Sequence, residues 1–151
     1  MLKALKNLFD LPPENARALP GHERRHLQLA MASLLHEVTR VDLGDSPREQ
    51  AAASQALLEL CGVSADEAAT LIAEGRRRAG QLTSYFAPLS VIKRDLDPAE
   101  RARLVEQLWR IAYADGRLDP YEDHFVRKIA HLLYVPNTQC MLARNRARPQ
   151  R

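Results

Sequence analysis

Cysteine is scarce in this chain, and so are long apolar runs. The two cysteines among 151 residues, Cys61 and Cys140, form neither a disulfide framework nor a metal-binding motif. No apolar stretch approaches the roughly 18 residues that a membrane-spanning helix requires. Lys3 and Lys6 interrupt the N-terminus, which lacks the layout of a signal peptide. The default expectation is a reducing, cytoplasmic setting.

Aromatic residues make up only 5% of the chain and glycine contributes 6 residues, whereas 46% of the chain is hydrophobic. Alternating apolar runs rich in valine, isoleucine and threonine are nearly absent, so no β-sheet is expected. Abundant leucine and alanine favour helices instead. A chain of this length suits one domain with its own core. The sequence therefore predicts an all-α fold, a single compact domain of about seven helices.

The familiar catalytic motifs are also missing. The sequence contains no GxSxG nucleophile motif, no HExxH metal motif and no glycine-rich phosphate loop. An EF-hand is excluded at the acidic stretch from Asp115 to Glu122, which is too short and carries Arg117 at a ligand position. A non-catalytic role is thus the preferred interpretation.

The net charge is only +3, but arginines gather in two places. One cluster is Arg76, Arg77 and Arg78, and the other is Arg144, Arg146, Arg148 and Arg151. The simplest interpretation is a solvated helix face and a flexible basic tail. Deleting residues 144–151 should then change the melting temperature little. The alternative is contact with nucleic acid or with an anionic membrane.

The most informative stretch joins two periodic helical segments through an acidic turn, Ala114 to Asp123. Asp119 suits the N-cap of the second helix, Pro120 its first position, and Glu122 the position that reaches back to the cap. Gly116 offers the left-handed conformation that ends the first helix.

Asp115 is not explained by this capping pattern. A carboxylate in the last turn of a helix opposes the helix dipole, at a cost of about 0.3–1 kcal/mol. It therefore needs a compensating partner, which could be a backbone donor, Arg117 or a cation. A turn aspartate bonded to nearby backbone N–H groups is the plainer interpretation.

The same unit recurs earlier in the chain. A shift of 73 residues places Leu35 on Leu108, Val38 on Ile111, Asp42 on Asp115, Pro47 on Pro120 and Glu49 on Glu122. Ser46, another good N-cap, takes the place of Asp119. The pattern indicates two related halves, each a helix pair.

Four helix starts share one capping pattern, in which glutamate follows the cap by three residues. The caps are Ser46, Ser64, Asp97 and Asp119, and the glutamates are Glu49, Glu67, Glu100 and Glu122. Pro88 is expected to interrupt the chain ahead of a short helix. We divide the chain into an amphipathic N-terminal segment and linker (1–21), a helical domain (22–142) and a basic flexible tail (143–151).

The run from Leu108 to Gly116, followed by Asp119, Glu122 and the segment to Leu133, resembles the TerB-like family. That family includes tellurite-resistance TerB proteins and the N-terminal domains of some membrane-anchored J-domain proteins. The resemblance implies an all-helical domain of about seven helices in two related halves. It also implies acidic turn residues as suspected metal ligands, in bacterial proteins linked to metal or general stress.

The candidate metal ligands are Asp115, Glu122, Asp42 and Glu49, since carboxylates suit hard divalent cations. The preferred hypothesis is a non-catalytic module that binds a protein partner, a second copy of itself included, and a divalent cation at these turns. One alternative is a basic adaptor that docks on nucleic acid or an anionic membrane. The other is a metal-dependent hydrolase that uses the same carboxylates.

Overall fold

The computed structural model describes residues 21–41, 47–79 and 86–149. Within these ranges it contains seven helices and no strand, as predicted. They are α1 (Gly21–Val41), α2 (Pro47–Cys61), α3 (Ala65–Ala79), α4 (Phe86–Asp95), α5 (Pro98–Ala112), α6 (Pro120–Leu132) and α7 (Asn137–Ala147). None of these helices is long and apolar enough to cross a membrane. The N-terminal segment expected at residues 1–21 lies outside the described residues, except for Gly21.

Helix α1 is the centre of the molecule. Every residue from 29 to 39 is buried, and the helix packs against α2, α3, α4, α5 and α6. The apolar residues Leu27, Met31, Leu34, Leu35 and Val38 alone predict a single buried stripe on this helix. Five neighbouring helices bury its other faces too, and these carry the polar residues Ser33, His36, Glu37 and Thr39.

Helix α3 approaches α1 closely at Gly75. A Cβ atom at this position would lie 2.9 Å from the carbonyl carbon and Cβ of Ala32, and equally close to the nitrogen of Ser33. Real Cβ contacts are essentially never this short, and two of these atoms belong to the backbone of α1. Glycine is therefore required here for the two helices to touch.

Three of the four predicted caps lie within the described residues and stand at helix starts. Asp97 and Glu100 form the complete reciprocal box, with Glu100 N donating to Asp97 Oδ1 at 2.8 Å and Asp97 N donating to Glu100 Oε1 at 2.9 Å. Ser64 Oγ accepts from Glu67 N at 3.2 Å. The capping prediction is confirmed at these sites, whereas Ser46 lies outside the described residues.

Pro88 does not interrupt the chain. It lies in the first turn of α4, where its missing N–H is not needed for a helical hydrogen bond. Helix α4 consequently begins at Phe86, before the proline, whereas the sequence analysis expected the short helix to follow it.

Helix α7 covers a fully buried aromatic side chain, that of Trp109 in α5. Trp109 is completely buried, and the Arg144 guanidinium lies 5.9 Å from its ring centroid. Ala143 is buried, and the helix continues to Ala147. The first five residues assigned to the flexible tail are therefore helical, because Arg144 and Arg146 have partners on neighbouring helices.

These contacts change the expectation for deleting the tail. A chain that ends at Ala143 loses the Arg144 contact with Trp109, the ion pair from Arg144 to Asp123 and the pair from Arg146 to Glu106. We expect a loss of about 1–2 kcal/mol, or roughly 2–8 °C in melting temperature. A chain that ends at Arg148 is the control and should have the same melting temperature as the full-length protein. Equal melting of both truncated chains would contradict this role for the end of α7.

Both cysteines lie inside the protein. Cys61 is 3% exposed and Cys140 is 2% exposed, and neither forms a disulfide. Burial raises the pKa of the Cys61 thiol to about 12 and also raises the pKa of Cys140. Both cysteines therefore act as small core residues.

Candidate functional site

The acidic turn begins where α5 ends. After Ala112 the chain makes two short turns, with Ala114 N donating to the carbonyl of Ile111 and Gly116 N donating to that of Tyr113 at 2.8 Å. Gly116 has φ +80°, the left-handed conformation predicted for it. Asp115 is carried in this turn, three residues beyond the last residue of α5, and is half-buried.

Helix α6 begins immediately after the turn. The Asp119 carboxylate accepts a hydrogen bond from Tyr121 N at 2.7 Å, and Pro120 is the first helical residue. The predicted N-cap is confirmed. The Asp119 carboxylate accepts from the backbone N–H of the second helical residue, whereas the Asp97 carboxylate accepts from that of the third. The Asp119 bond fixes the direction in which the chain leaves the turn.

The turn and the start of α6 enclose one predominantly polar cavity of about 390 Å³. Its lining residues are Asp115, Arg117, Leu118, Asp119, Pro120 and Glu122. Two of the predicted ligands, Asp115 and Glu122, therefore face the same space. Arg117 also lines this cavity, so a positive charge is available to compensate the carboxylates.

Glu122 is nearly inaccessible, with 1% exposure. The sequence spacing contains the reason, because Glu122 precedes the buried residues Phe125, Val126 and Ile129 by three, four and seven positions. These spacings put it on the core face of α6. The sequence analysis treated Glu122 as a capping residue and a candidate metal ligand, and did not predict its burial.

Glu49 has the same environment in the first half of the chain. It is fully buried in the first turn of α2, on the face that also carries the buried Ala53, Ala56 and Leu60. Both glutamates interact with other groups of the protein, as buried carboxylates must to offset the loss of hydration. Asp42, the fourth predicted ligand, lies outside the described residues.

Burial matches across the two halves elsewhere as well. Leu35 and Leu108 are fully buried, and so are Val38 and Ile111. The pairs α1–α2 and α5–α6 thus place corresponding side chains in corresponding environments, as the internal repeat predicted.

No complete metal-binding set occurs in the part of the chain that the structure describes. Among those residues, no group of three or more histidine, cysteine, aspartate or glutamate side chains is placed to hold a metal ion. The cavity beside α6 supplies carboxylates from Asp115, Glu122 and Asp119, and the last of these is engaged in capping. A cation here would keep several water ligands, which is the usual coordination of Mg²⁺.

The arginine clusters have carboxylate partners. In α3, Glu74 pairs with Arg77 and with Arg78, and hydrogen bonds from these two side chains lower the pKa of the Glu74 carboxyl. In α7, Arg144 and Arg146 pair with acidic residues of α6 and α5. These ion pairs hold the arginine side chains against the protein and reduce the positive charge that they present to an anionic partner.

The sequence was compared with known proteins. The model of the family described as "Tellurite resistance protein TerB" matches residues 28–145, which is most of the chain and includes the whole acidic turn. No curated protein and no solved structure matches it.

Proposed function

Because the chain belongs to the TerB family, we propose that it is a non-catalytic helical module that binds a hard divalent cation at the turn between α5 and α6. Asp115 and Glu122 are the protein ligands in this proposal. The cation-loaded turn then presents a surface to a protein partner in the response to tellurite or other metal stress. Asp42 and Glu49 are the corresponding ligands proposed for the first half.

The observation that carries the proposal is the cavity beside α6, which brings Asp115 and Glu122 to one space. Asp115 follows the end of α5 and Glu122 lies in the first turn of α6, so a bound cation would tie the turn to α6. Carboxylate oxygens select Mg²⁺, Ca²⁺ or Mn²⁺ over softer metals. A cation would also offset the unfavourable position of the Asp115 charge after the C-terminus of α5.

A binding role is preferred to hydrolysis because the described residues that line the cavity include no histidine to act as a general base and no serine, threonine or cysteine to act as a nucleophile. The two cysteines lie elsewhere and have raised pKa values, which disfavour the reactive thiolate. The hydrolase alternative requires Asp42 and Asp115 to share a cleft, and Asp42 lies outside the described residues.

The proposal predicts that added Mg²⁺, Ca²⁺ or Mn²⁺ raises the melting temperature of the full chain. At a cation concentration about 100 times the dissociation constant, binding stabilises the native state by about 2.7 kcal/mol. This corresponds to roughly 5–10 °C for a domain of this size. Calorimetric titration then gives the affinity and the number of sites.

The matched variants are Asp115→Asn and Asp66→Asn. Asparagine keeps the turn chemistry of Asp115 but removes the charge, so the first variant should fold and lose most of the cation-dependent stabilisation. Asp66 is an exposed residue in the first turn of α3, and its variant should respond to cations like the unmodified chain. Equal cation responses in all three proteins, or no response in any, would refute the site.

A further inference from the structure

Tyr134, between α6 and α7, has the left-handed backbone conformation, with φ +60°. This conformation brings the Cβ atom of an L-amino acid too close to a carbonyl oxygen, so it is usually left to glycine. The internal repeat supplies a direct comparison, because a shift of 72 residues places Gly62 on Tyr134 and the first residue of α3, Ala65, on the first residue of α7, Asn137. Gly62 has φ +65°. At the same turn, the first half of the chain therefore has glycine where the second half has tyrosine.

The Tyr134 side chain does not offset this strain by burial. It is 74% exposed, so the core of the domain does not depend on its ring. The Lys93 ammonium of α4 lies 5.1 Å from the ring centroid, a cation–π contact that stabilises little at an exposed site. Strain of this kind, without a gain in packing, collects at sites that serve a function outside the fold.

The backbone that carries the Tyr134 ring is held in place. Tyr134 N donates to the carbonyl of His131 at 3.1 Å. The Arg101 guanidinium donates from Nη1 to the carbonyl of Leu133 at 2.9 Å and from Nε to that of Leu96 at 3.1 Å, which ties the end of α6 to the end of α4. A ring presented from a fixed backbone loses less entropy when it binds a partner.

The side chains around Tyr134 are apolar and basic. Leu132 is 37% exposed, and the exposed Lys128 precedes it by one turn on the same face of α6. Lys93 supplies a second ammonium group at the tyrosine ring. Neither lysine forms an ion pair with another described residue, so both positive charges are available to a partner.

This chemistry favours an acidic protein segment over a nucleic acid. The neighbouring Arg94 is paired with Asp95, and the guanidinium of Arg101 is engaged by two carbonyls. Two ammonium groups are few for the series of phosphate contacts that holds a nucleic acid. Tyrosine is enriched among the residues that dominate protein–protein interfaces, where it packs against apolar side chains of the partner.

We propose that the end of α6 docks an acidic segment of a protein partner. The docking surface, called here the Tyr134 surface, consists of Lys93, Lys128, Leu132 and Tyr134. The tyrosine ring and Leu132 contact an apolar side chain of the partner, and the two lysines contact carboxylates beside it. Leu132 lies about 15 Å along the axis of α6 from Glu122, so this surface is separate from the proposed cation site.

The test selects short random peptides on the immobilised full chain. The enriched peptides should carry carboxylates next to an apolar residue, and their affinity should fall as salt is added. Tyr134→Gly should weaken these peptides by about tenfold or more. The same variant should melt roughly 2–4 °C higher, because glycine adopts the left-handed conformation without strain. A loss of binding in a more stable protein separates recognition from folding.

Tyr121→Ala is the matched control, because Tyr121 is also 74% exposed but lies at the opposite end of α6. It should bind the selected peptides like the unmodified chain. Lys93→Gln removes an ammonium group and should weaken the peptides severalfold. Asp115→Asn should leave peptide binding unchanged, so failure of the cation site and failure of the Tyr134 surface are separate outcomes.

Several results would overturn the proposal. They are a selection that enriches no acidic peptide, equal peptide binding by Tyr134→Gly and the unmodified chain, or an equal loss in Tyr121→Ala. A lower melting temperature of Tyr134→Gly would remove the argument from strain. Binding of a single-stranded oligonucleotide that is lost in Tyr134→Gly, with no acidic peptide selected, would identify nucleic acid as the partner and refute an acidic protein segment.

Discussion

Replacing Gly75 with valine is expected to lower the melting temperature of the full chain by roughly 6–12 °C. The Cβ atom alone would lie 2.9 Å from backbone atoms of Ala32 and Ser33, so α1 and α3 must move apart. Forcing extra atoms into a packed contact costs about 1–3 kcal/mol, and the branched side chain places this substitution at the upper end. Thermal unfolding followed by circular dichroism measures the effect.

Helix propensity alone predicts that Gly75→Val raises the stability, so the sign of the measured change distinguishes propensity from packing. Valine is a better helix former than glycine, by a few tenths of a kcal/mol, so an exposed glycine in mid-helix would gain stability on replacement. Gly21→Ala provides the control, because no described residue beyond its own chain neighbours and helix backbone lies within 4 Å of a Cβ atom at that position. A stabilised Gly75→Val protein would show that α1 and α3 do not touch as the structure describes.

Trp109→Ala should have the largest effect of any single truncation in the core. The side chain is fully buried in α5, lies 6.5 Å from the Tyr113 ring centroid and is covered by Arg144 of α7. Removing a buried tryptophan costs about 3–5 kcal/mol, or roughly 6–20 °C here. Circular dichroism is again the measurement, since this is the single tryptophan of the chain.

Tyr121→Ala is the matched control for the tryptophan variant. Tyr121 is another large aromatic residue beside the acidic turn, but it is 74% exposed, so its loss should change stability by about 0.5 kcal/mol or less. Similar losses in the two variants would mean that α7 does not cover Trp109.

The features that the sequence predicted well are those decided by local interactions. An aspartate or serine cap and a glutamate three residues later can satisfy a helix terminus within one turn, so Ser64 and Asp97 marked their helix starts. The left-handed conformation of Gly116 was predictable for the same reason, because it depends only on the absence of a Cβ atom in that residue.

The features that the sequence analysis missed depend on which surface another helix covers. Residues 29–39 of α1 are buried on all sides because five helices pack against α1. The hydrophobic periodicity of a helix does not reveal how many other helices will cover it. Residues 143–147 are polar enough to suggest a free tail, but distant carboxylates and Trp109 hold them in α7.

The candidate site was predicted in part. The sequence identified Asp115 and Glu122, and the structure places both on one cavity. The burial of Glu122 and Glu49 could have been predicted from their spacing to apolar residues. It was missed because the capping pattern already explained why a glutamate occurs at each position. The relation of Asp42 to this site stays a prediction.

The buried cysteines have a practical consequence for studying this protein. Alkylating reagents and spin labels react with thiolates, and at pH 7–8 a Cys61 thiol with a pKa of about 12 is almost entirely protonated and shielded from the reagent. Cys140 is shielded in the same way. Cysteines introduced in pairs at exposed positions, of which Tyr121 is one, can therefore be labelled selectively, which allows distances across the acidic turn to be measured without removing either native cysteine.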